Sequence, residues 1–275
     1  MTHQTSPLTS RRVLPLLLLW LSGTSACTKF ASELDEMATP ELSPGADWSC
    51  LSQAAGNPIM PTNGPPLDYR VAPRDYINGN TPPNLRVRAC YRADVTCSHP
   101  ATDFVLPDED GSVTVPLTVG FNGYLEVLSD DMVPTISLFP GPMTQELADA
   151  VGSVTLALLP LDALVAFAVA SQIELSPDLG VVSVNAYDCA GPSAPGVRLE
   201  LNTSGVPYQF VDGLPIAYED TTNAESSGGF ANVQPGLVVV KGFRAGTVDL
   251  VGLETVLVRA QWVTVTSLMP QFAAE

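Results

Sequence analysis

The chain has 275 residues, of which 45% are hydrophobic and only 15% charged, and its 29 Asp+Glu against 12 Lys+Arg give a formal net charge of −17. So acidic a chain lacks the basic footprint that displaces counterions from nucleic acid, which excludes a nucleic-acid partner, and it is repelled by anionic lipid surfaces. With 25 Pro and 21 Gly, the composition suits short strands joined by many turns and excludes a protein of long surface helices.

The N-terminus reads as an export signal. Arg11 and Arg12 precede the uncharged run Val13 to Leu21, and Ser22 to Ala26 form the small-residue exit that a signal peptidase needs. The run is well short of the roughly 20 residues that span a bilayer. Ser10-Arg11-Arg12 also has the opening of a twin-arginine signal, without the rest of that motif. Thr24-Ser25-Ala26-Cys27 resembles a lipobox, with Thr24 where that pattern prefers Leu, and this predicts acylation of Cys27; cleavage after Ala26 with free secretion is the alternative. Cysteine number favours acylation, because removing Cys27 from the five leaves an even four, Cys50, Cys90, Cys97 and Cys189. Residues 1–26 hold two of the cationic side chains and none of the anionic ones, so the mature chain keeps ten against 29. Its membrane partner is therefore reached through the lipid, not through charge.

Residues 27–45 are acidic and poor in core formers, and read as a lipidated N-terminus with a flexible tether. The first β region spans 46–140. Leu85 to Cys90 alternates apolar and polar residues, Asp108-Glu109-Asp110-Gly111 signals a turn into the strand Ser112–Leu117, and Gly123–Leu128 and Thr135–Phe139 complete the set. Residues 141–177 read as a helical linker. Thr144 caps one helix through Val151, and the apolar stretch Val154 to Ala170 is expected as two short helices broken at Pro160. The second β region spans 178–272, with strands at Val181–Tyr187, Val197–Leu201, Phe230–Val233, Leu237–Lys241 and a last segment Thr255–Thr266 that reads as two strands or a bulged one. Each region opens on a strand ending near a cysteine and later has Thr102-Asp103 or Thr222-Asn223 before a glycine turn, which suggests a diverged duplication.

Within the second region, the strand Val181–Tyr187 is followed by Gly191-Pro192-Ser193-Ala194-Pro195-Gly196-Val197, then Thr221-Thr222-Asn223, then Gly229-Phe230-Ala231-Asn232-Val233-Gln234-Pro235-Gly236 leading into Leu237–Lys241. This segment resembles the carboxypeptidase regulatory-like, or transthyretin-like, module. Asn223 stands where that family usually has aspartate, and 208–220 is longer than the minimal module. The resemblance implies a mainly β fold of two transthyretin-like, Ig-like antiparallel β-sandwich modules joined by the short helical segment. It also implies a non-catalytic role as spacer, adhesion unit or glycan-binding attachment. A lipoprotein bearing two such modules resembles Gram-negative surface proteins and carries no assigned site residues.

The chemistry-bearing residues are few. Only His99 remains after the signal, in the loop Cys97-Ser98-His99-Pro100, so a histidine-based triad or zinc site would rest on a single imidazole. No GxSxG, HExxH or phosphate-binding glycine loop is present, and no cofactor is expected. Asp108, Asp110, Asp130 and Asp131 are the oxygen-ligand set available to calcium, or the carboxylates available to a glycosidase, although acids in turns ordinarily face water. The four remaining cysteines are expected to pair, with Cys90–Cys97 closing a hairpin-like loop, or Cys50 bonding either of them, and Cys189 pairing with Cys50 or staying free. Tyr208 and Tyr218, in a loop-like stretch, are the binding-face candidates, and Trp262 reads as core. The sequence thus predicts a non-catalytic lipoprotein of the cell envelope, anchored in the outer membrane, that binds an envelope protein or glycan. The alternatives are a periplasmic or secreted location, a carboxylate-dependent glycan enzyme, and an accessory subunit of an envelope complex.

Overall fold

The computed structural model describes residues 46–52, 64–151, 154–191, 193–211, 214–217 and 227–270, all within one compact unit. The signal, Cys27, Tyr218 and the Thr222-Asn223 motif lie outside the described residues.

Alternation in the sequence becomes alternation of burial. In β1 (Pro66–Asp75), Leu67, Tyr69 and Val71 point inward, and in β7 (Gly180–Ala186), Val182, Val184 and Ala186 do so. Fourteen strands are described. The first six are β1, β2 (Arg86–Tyr91), β3 (Val113–Thr118), β4 (Gly123–Leu128), β5 (Thr135–Leu138) and β6 (Val154–Leu158). After β7 come β8 (Val197–Leu201), β9 (Val206–Val211), β10 (Leu214–Ala217), β11 (Ser227–Val233), β12 (Gly236–Arg244), β13 (Leu250–Val258) and β14 (Val263–Leu268). Two helices, α1 (Gln145–Val151) and α2 (Leu161–Ala170), flank β6. The fold is mainly β, as the sequence predicts.

The strands form a central eight-stranded sheet in the order β10-β9-β11-β7-β14-β5-β4-β2, and two three-stranded sheets, β3-β1-β6 and β13-β12-β8. Both expected β regions therefore contribute to one sheet. They meet where β14, the last strand, lies parallel between β7 and β5, pairing Val263 with Val181 on one side and with Thr135 on the other. The small sheets cover opposite faces of the large one. Neighbours in a strand point to opposite faces, and in β4 Tyr124 belongs to the core shared with Leu199, Val240 and Val256, whereas Leu125 belongs to the core shared with Leu67, Val71 and Val115.

Three local expectations meet their test here. Thr144 does cap α1, its Oγ1 accepting the N–H of Leu147 at 2.9 Å. Thr255–Thr266 is two strands, β13 and β14, separated by a turn in which Gln261 has φ +64°. The two-helix reading of 154–170 needs correction. Val154–Leu158 is a strand, parallel to β1 with Val71 opposite Val154, and only the part after Pro160 is helical. A short apolar run fits a buried strand and a helix equally well. Here pairing with β1 decides it, and Pro160, fixed near φ −59°, starts the helix instead of breaking one.

Both cysteine pairs form disulfides, Cys90–Cys97 and Cys50–Cys189, with Cα atoms 5.4 and 5.8 Å apart. The first closes the short loop that follows β2. The second ties the start of the described chain to the end of β7, where the N–H of Asp47 also donates to Asp188 at 2.9 Å.

Candidate binding cavity

The sheet β3-β1-β6 is narrower than the face it covers. It stops at β6, and beyond it α2 lies against that face. The uncovered region is a cavity of about 750 Å³. Its floor is the outward parity of β7 and β14, Val181, Ser183 and Asn185 beside Val263, Val265 and Ser267, whose intervening neighbours Val182, Val184, Thr264 and Thr266 are buried. Leu164 and Phe167 of α2 face it from one side, and Leu147 of α1 and β6 from the other.

Strand register places a polar row across the floor. Ser267 of β14 is opposite Asn185 of β7, which is opposite Ser227 of β11, and Ser227 Oγ donates to Asn185 Oδ1 at 2.8 Å. Among the described residues, the remaining lining is aliphatic, aromatic, thioether or hydroxylic, without a carboxylate, imidazole, amine, guanidinium or thiol. Its most acidic groups are phenols, and burial pushes that of Tyr69 up to about 12. Such a surface holds a ligand by fit and hydrogen bonds, and offers no group that moves a proton near neutral pH.

The sequence-predicted residues lie elsewhere. The Asp110 carboxylate accepts the hydroxyl of Ser112 at 2.6 Å and its N–H at 2.9 Å and pairs with Arg70, contacts that hold it below the usual carboxylate range. Asp108 sits at the other end of the same turn, its Oδ2 at 3.5 Å from Thr114 Oγ1. Asp130 accepts Asn84 Nδ2 at 2.7 Å, and the carbonyl of Asp131 accepts the N–H of Leu161 at 3.1 Å. The four aspartates form no group of three potential ligands among the described residues. One such group is found there, Cys90, Cys97 and Glu126, in which the sulfurs are bonded to each other.

Tyr208 is corrected as a binding-face residue. It is buried: its ring packs edge-on against Phe167 and Phe210, at 5.2 and 5.8 Å, and its hydroxyl donates to Val182 O at 3.2 Å. Burial raises its pKa. It supports α2 from beneath and takes no part in the cavity lining. His99 is exposed, and its N–H donates to Asp94. Trp262 is half-buried against the core, under the guanidinium of Arg259 at 4.9 Å.

Sequence reasoning missed the cavity and a second feature, the buried carboxylate of Glu126. Arg88 and Arg259 both pair with it, and Arg259 also donates to Val95 O at 2.8 Å and to Tyr124 Oη at 3.1 Å. A charge flanked by leucine and valine in β4 was the available signal for it. For the cavity there was a weaker one, the serines and asparagine at alternate positions of β7 and β14.

No family model matches the chain, and no curated protein matches it. Among solved structures, it is similar to a streptococcal ancillary pilin, at 11% identity over 74% of this chain and 68% of that one, with a TM-score of 0.23. It is also similar to GBS52, the minor pilin of Streptococcus agalactiae, at 8% identity over 76% of this chain and 97% of that one, again with a TM-score of 0.23. Among the described residues, no helix is long and apolar enough to cross a membrane.

Proposed function

We propose that the protein is a non-catalytic lipoprotein of the cell envelope, acylated at Cys27 and held at the outer membrane by that lipid. Its β-sandwich body, of carboxypeptidase regulatory-like type, binds an envelope partner. The observation that supports this reading is the chemistry of the cavity: among the described residues its lining holds no carboxylate, imidazole, amine or thiol for acid–base, nucleophilic or metal-assisted catalysis. A glycosidase would need two carboxyl groups roughly 5–10 Å apart across one cleft. The aspartates available for that, Asp108, Asp110, Asp130 and Asp131, are absent from the lining.

The test combines anchoring with turnover. Cells growing on radiolabelled palmitate should label the wild-type chain and leave Cys27→Ser unlabelled and released from the membrane pellet. Purified protein should leave a panel of envelope polysaccharides and peptides intact. Label retained by Cys27→Ser defeats the anchor, and turnover lost on replacing Asp108 or Asp130 defeats the non-catalytic reading.

A further inference from the structure

Strand β6 is bonded to β1 on one side, and no described strand lies on its other side. Its residues Val154, Thr155, Leu156 and Ala157 all line the cavity. Consecutive side chains of a strand point to opposite faces, so the part of β6 that meets the cavity is its free edge. An edge strand presents a row of backbone N–H and C=O groups directed away from its partner. One wall of the cavity is therefore the side of β6 on which no described strand pairs, and the floor carries the row Ser267, Asn185 and Ser227.

These two features select among occupants. A hydrocarbon chain would dry the edge and the row without supplying partners, at a cost of about 1–3 kcal/mol per stranded group. A glycan would set its many hydroxyls against Val, Leu, Ala and Phe side chains. An extended peptide matches both surfaces, its backbone pairing with the edge and its alternate side chains filling the apolar space.

Charge narrows the choice further. Residues 93–197 and 199–240, which supply α1, β5 to β7 and β9 to β11, contain no Lys or Arg. The helices beside the cavity carry exposed Glu146, Asp149 and Asp162. The two arginines of β1 are turned away, to Asp110 and to the carbonyl of Gly111. The rim itself is apolar, with Tyr76 45% and Ile77 66% exposed where they line the opening.

We infer that the cavity receives an extended segment of a partner protein, uncharged with apolar residues at alternate positions and flanked by Lys or Arg, which adds as a strand to the free edge of β6. This rests on the cavity being a binding site and not a reacting one.

The probe is the fluorescein-labelled peptide KKVTVSVTVKK, titrated into the purified exported chain. Binding should weaken about tenfold when alternate backbone amides on one edge of the peptide are N-methylated, since each backbone hydrogen bond lost has a cost of that order. It should weaken similarly with Ala166→Trp, a change at an exposed lining position of α2 that fills the cavity. Raising salt from about 0.05 to about 0.5 M should also weaken it, as should the triple variant Glu146→Gln, Asp149→Asn, Asp162→Asn, because salt screens the exposed carboxylates of the two helices over a Debye length. The melting temperature of each variant reports that it is folded. Equal binding of the N-methylated peptide, indifference to Ala166→Trp, or no binding of the parent peptide overturns the proposal. So does its displacement by palmitate or phosphatidylcholine vesicles, which would make a lipid chain the occupant. Any of these results, obtained without substrate turnover, leaves the non-catalytic reading standing.

Discussion

Glu126 is 1% exposed, and its two carboxylate oxygens are shared between Arg88, from the adjacent strand β2, and Arg259, from the turn between β13 and β14. Removing one member of a buried ionic group leaves the others charged and unpaired, which typically costs about 3–5 kcal/mol. Glu126→Gln should lower the stability measured by urea unfolding by about that amount. Replacing Glu126, Arg88 and Arg259 together with apolar residues should recover much of the loss, because the desolvation cost disappears with the charges. Asp94 governs the neighbouring loop differently. Its carboxylate accepts the N–H of His99 at 2.7 Å, with the N–H of Ser98 and the hydroxyls of Thr96 and Ser98 adding to it, and these bonds hold its pKa down to about 2, below the unfolded value of 3.8. A depressed carboxylate stabilises the fold above its unfolded pKa and loses that contribution as pH falls through the folded one. The 94–99 loop should therefore loosen between about pH 4 and pH 2, read as faster amide exchange at His99, and Asp94→Asn should remove the dependence. Neither residue stood out in the sequence. Glu126 fits a half-exposed alternating strand, and only the sheets on both faces of β4 make it buried. Tyr208 misled in the opposite sense, because a tyrosine amid prolines and glycines reads as surface, and nothing local announces that Phe167 will cover it.

At the scale of elements, α2 is the unusual one. It has a single charged residue, Asp162, and its outer positions Val165 and Val169 are 64% and 75% exposed. It cannot owe its place to burial of a broad apolar face, since none of its residues is buried. What holds it is the contact of Phe167 with Tyr208 and the bond of its first N–H, from Leu161, to Asp131 O. Phe167→Ala should thus release the helix selectively. Amide exchange across 161–170 should rise sharply while exchange in β4 and β7 stays unchanged, with a global loss of only about 1–3 kcal/mol because the ring is half-buried. The neighbouring element shows where pattern reading fails. Val154 to Leu158 alternates too weakly to declare itself, and its strand character comes from β1, more than 80 positions earlier in the chain. By contrast, β2, β3 and β7 announce themselves, because each keeps one dry and one wetter face and so a period of two, whereas β1, whose second half is buried at consecutive positions, does not.

On the scale of the whole molecule, composition and the even cysteine count were enough to predict a β-rich fold with paired cysteines. The sheet order was not legible, because the junction of the two regions depends on β14 inserting parallel between β7 and β5, and parallel pairings between distant segments leave no local pattern. The pairing of Cys50 with Cys189 depends on the same arrangement. That bond spans 139 positions, and in the chain-entropy account a closure of this length constrains the unfolded chain by about 5 kcal/mol, against about 2–3 kcal/mol for the short Cys90–Cys97 loop. Cys50→Ser with Cys189→Ser should therefore lower the melting temperature more than Cys90→Ser with Cys97→Ser, as calorimetry of the two double variants would show.

The position of the Cys50–Cys189 bond also sets how the molecule carries mechanical load. Tension applied to the chain ahead of Ala46 reaches Cys50 and crosses the disulfide to Cys189, three residues beyond β7, the strand that floors the cavity. Residues 51–188, which include β1 to β7, form a covalently closed loop, so a pull on the N-terminus enters β7 through one covalent bridge and three residues of backbone. With the bridge reduced, the same pull would run along the whole loop and draw on β1 first. Oxidation thus couples the N-terminus closely to β7, and single-molecule stretching from the N-terminus should show the first sandwich half opening only after the bond is reduced.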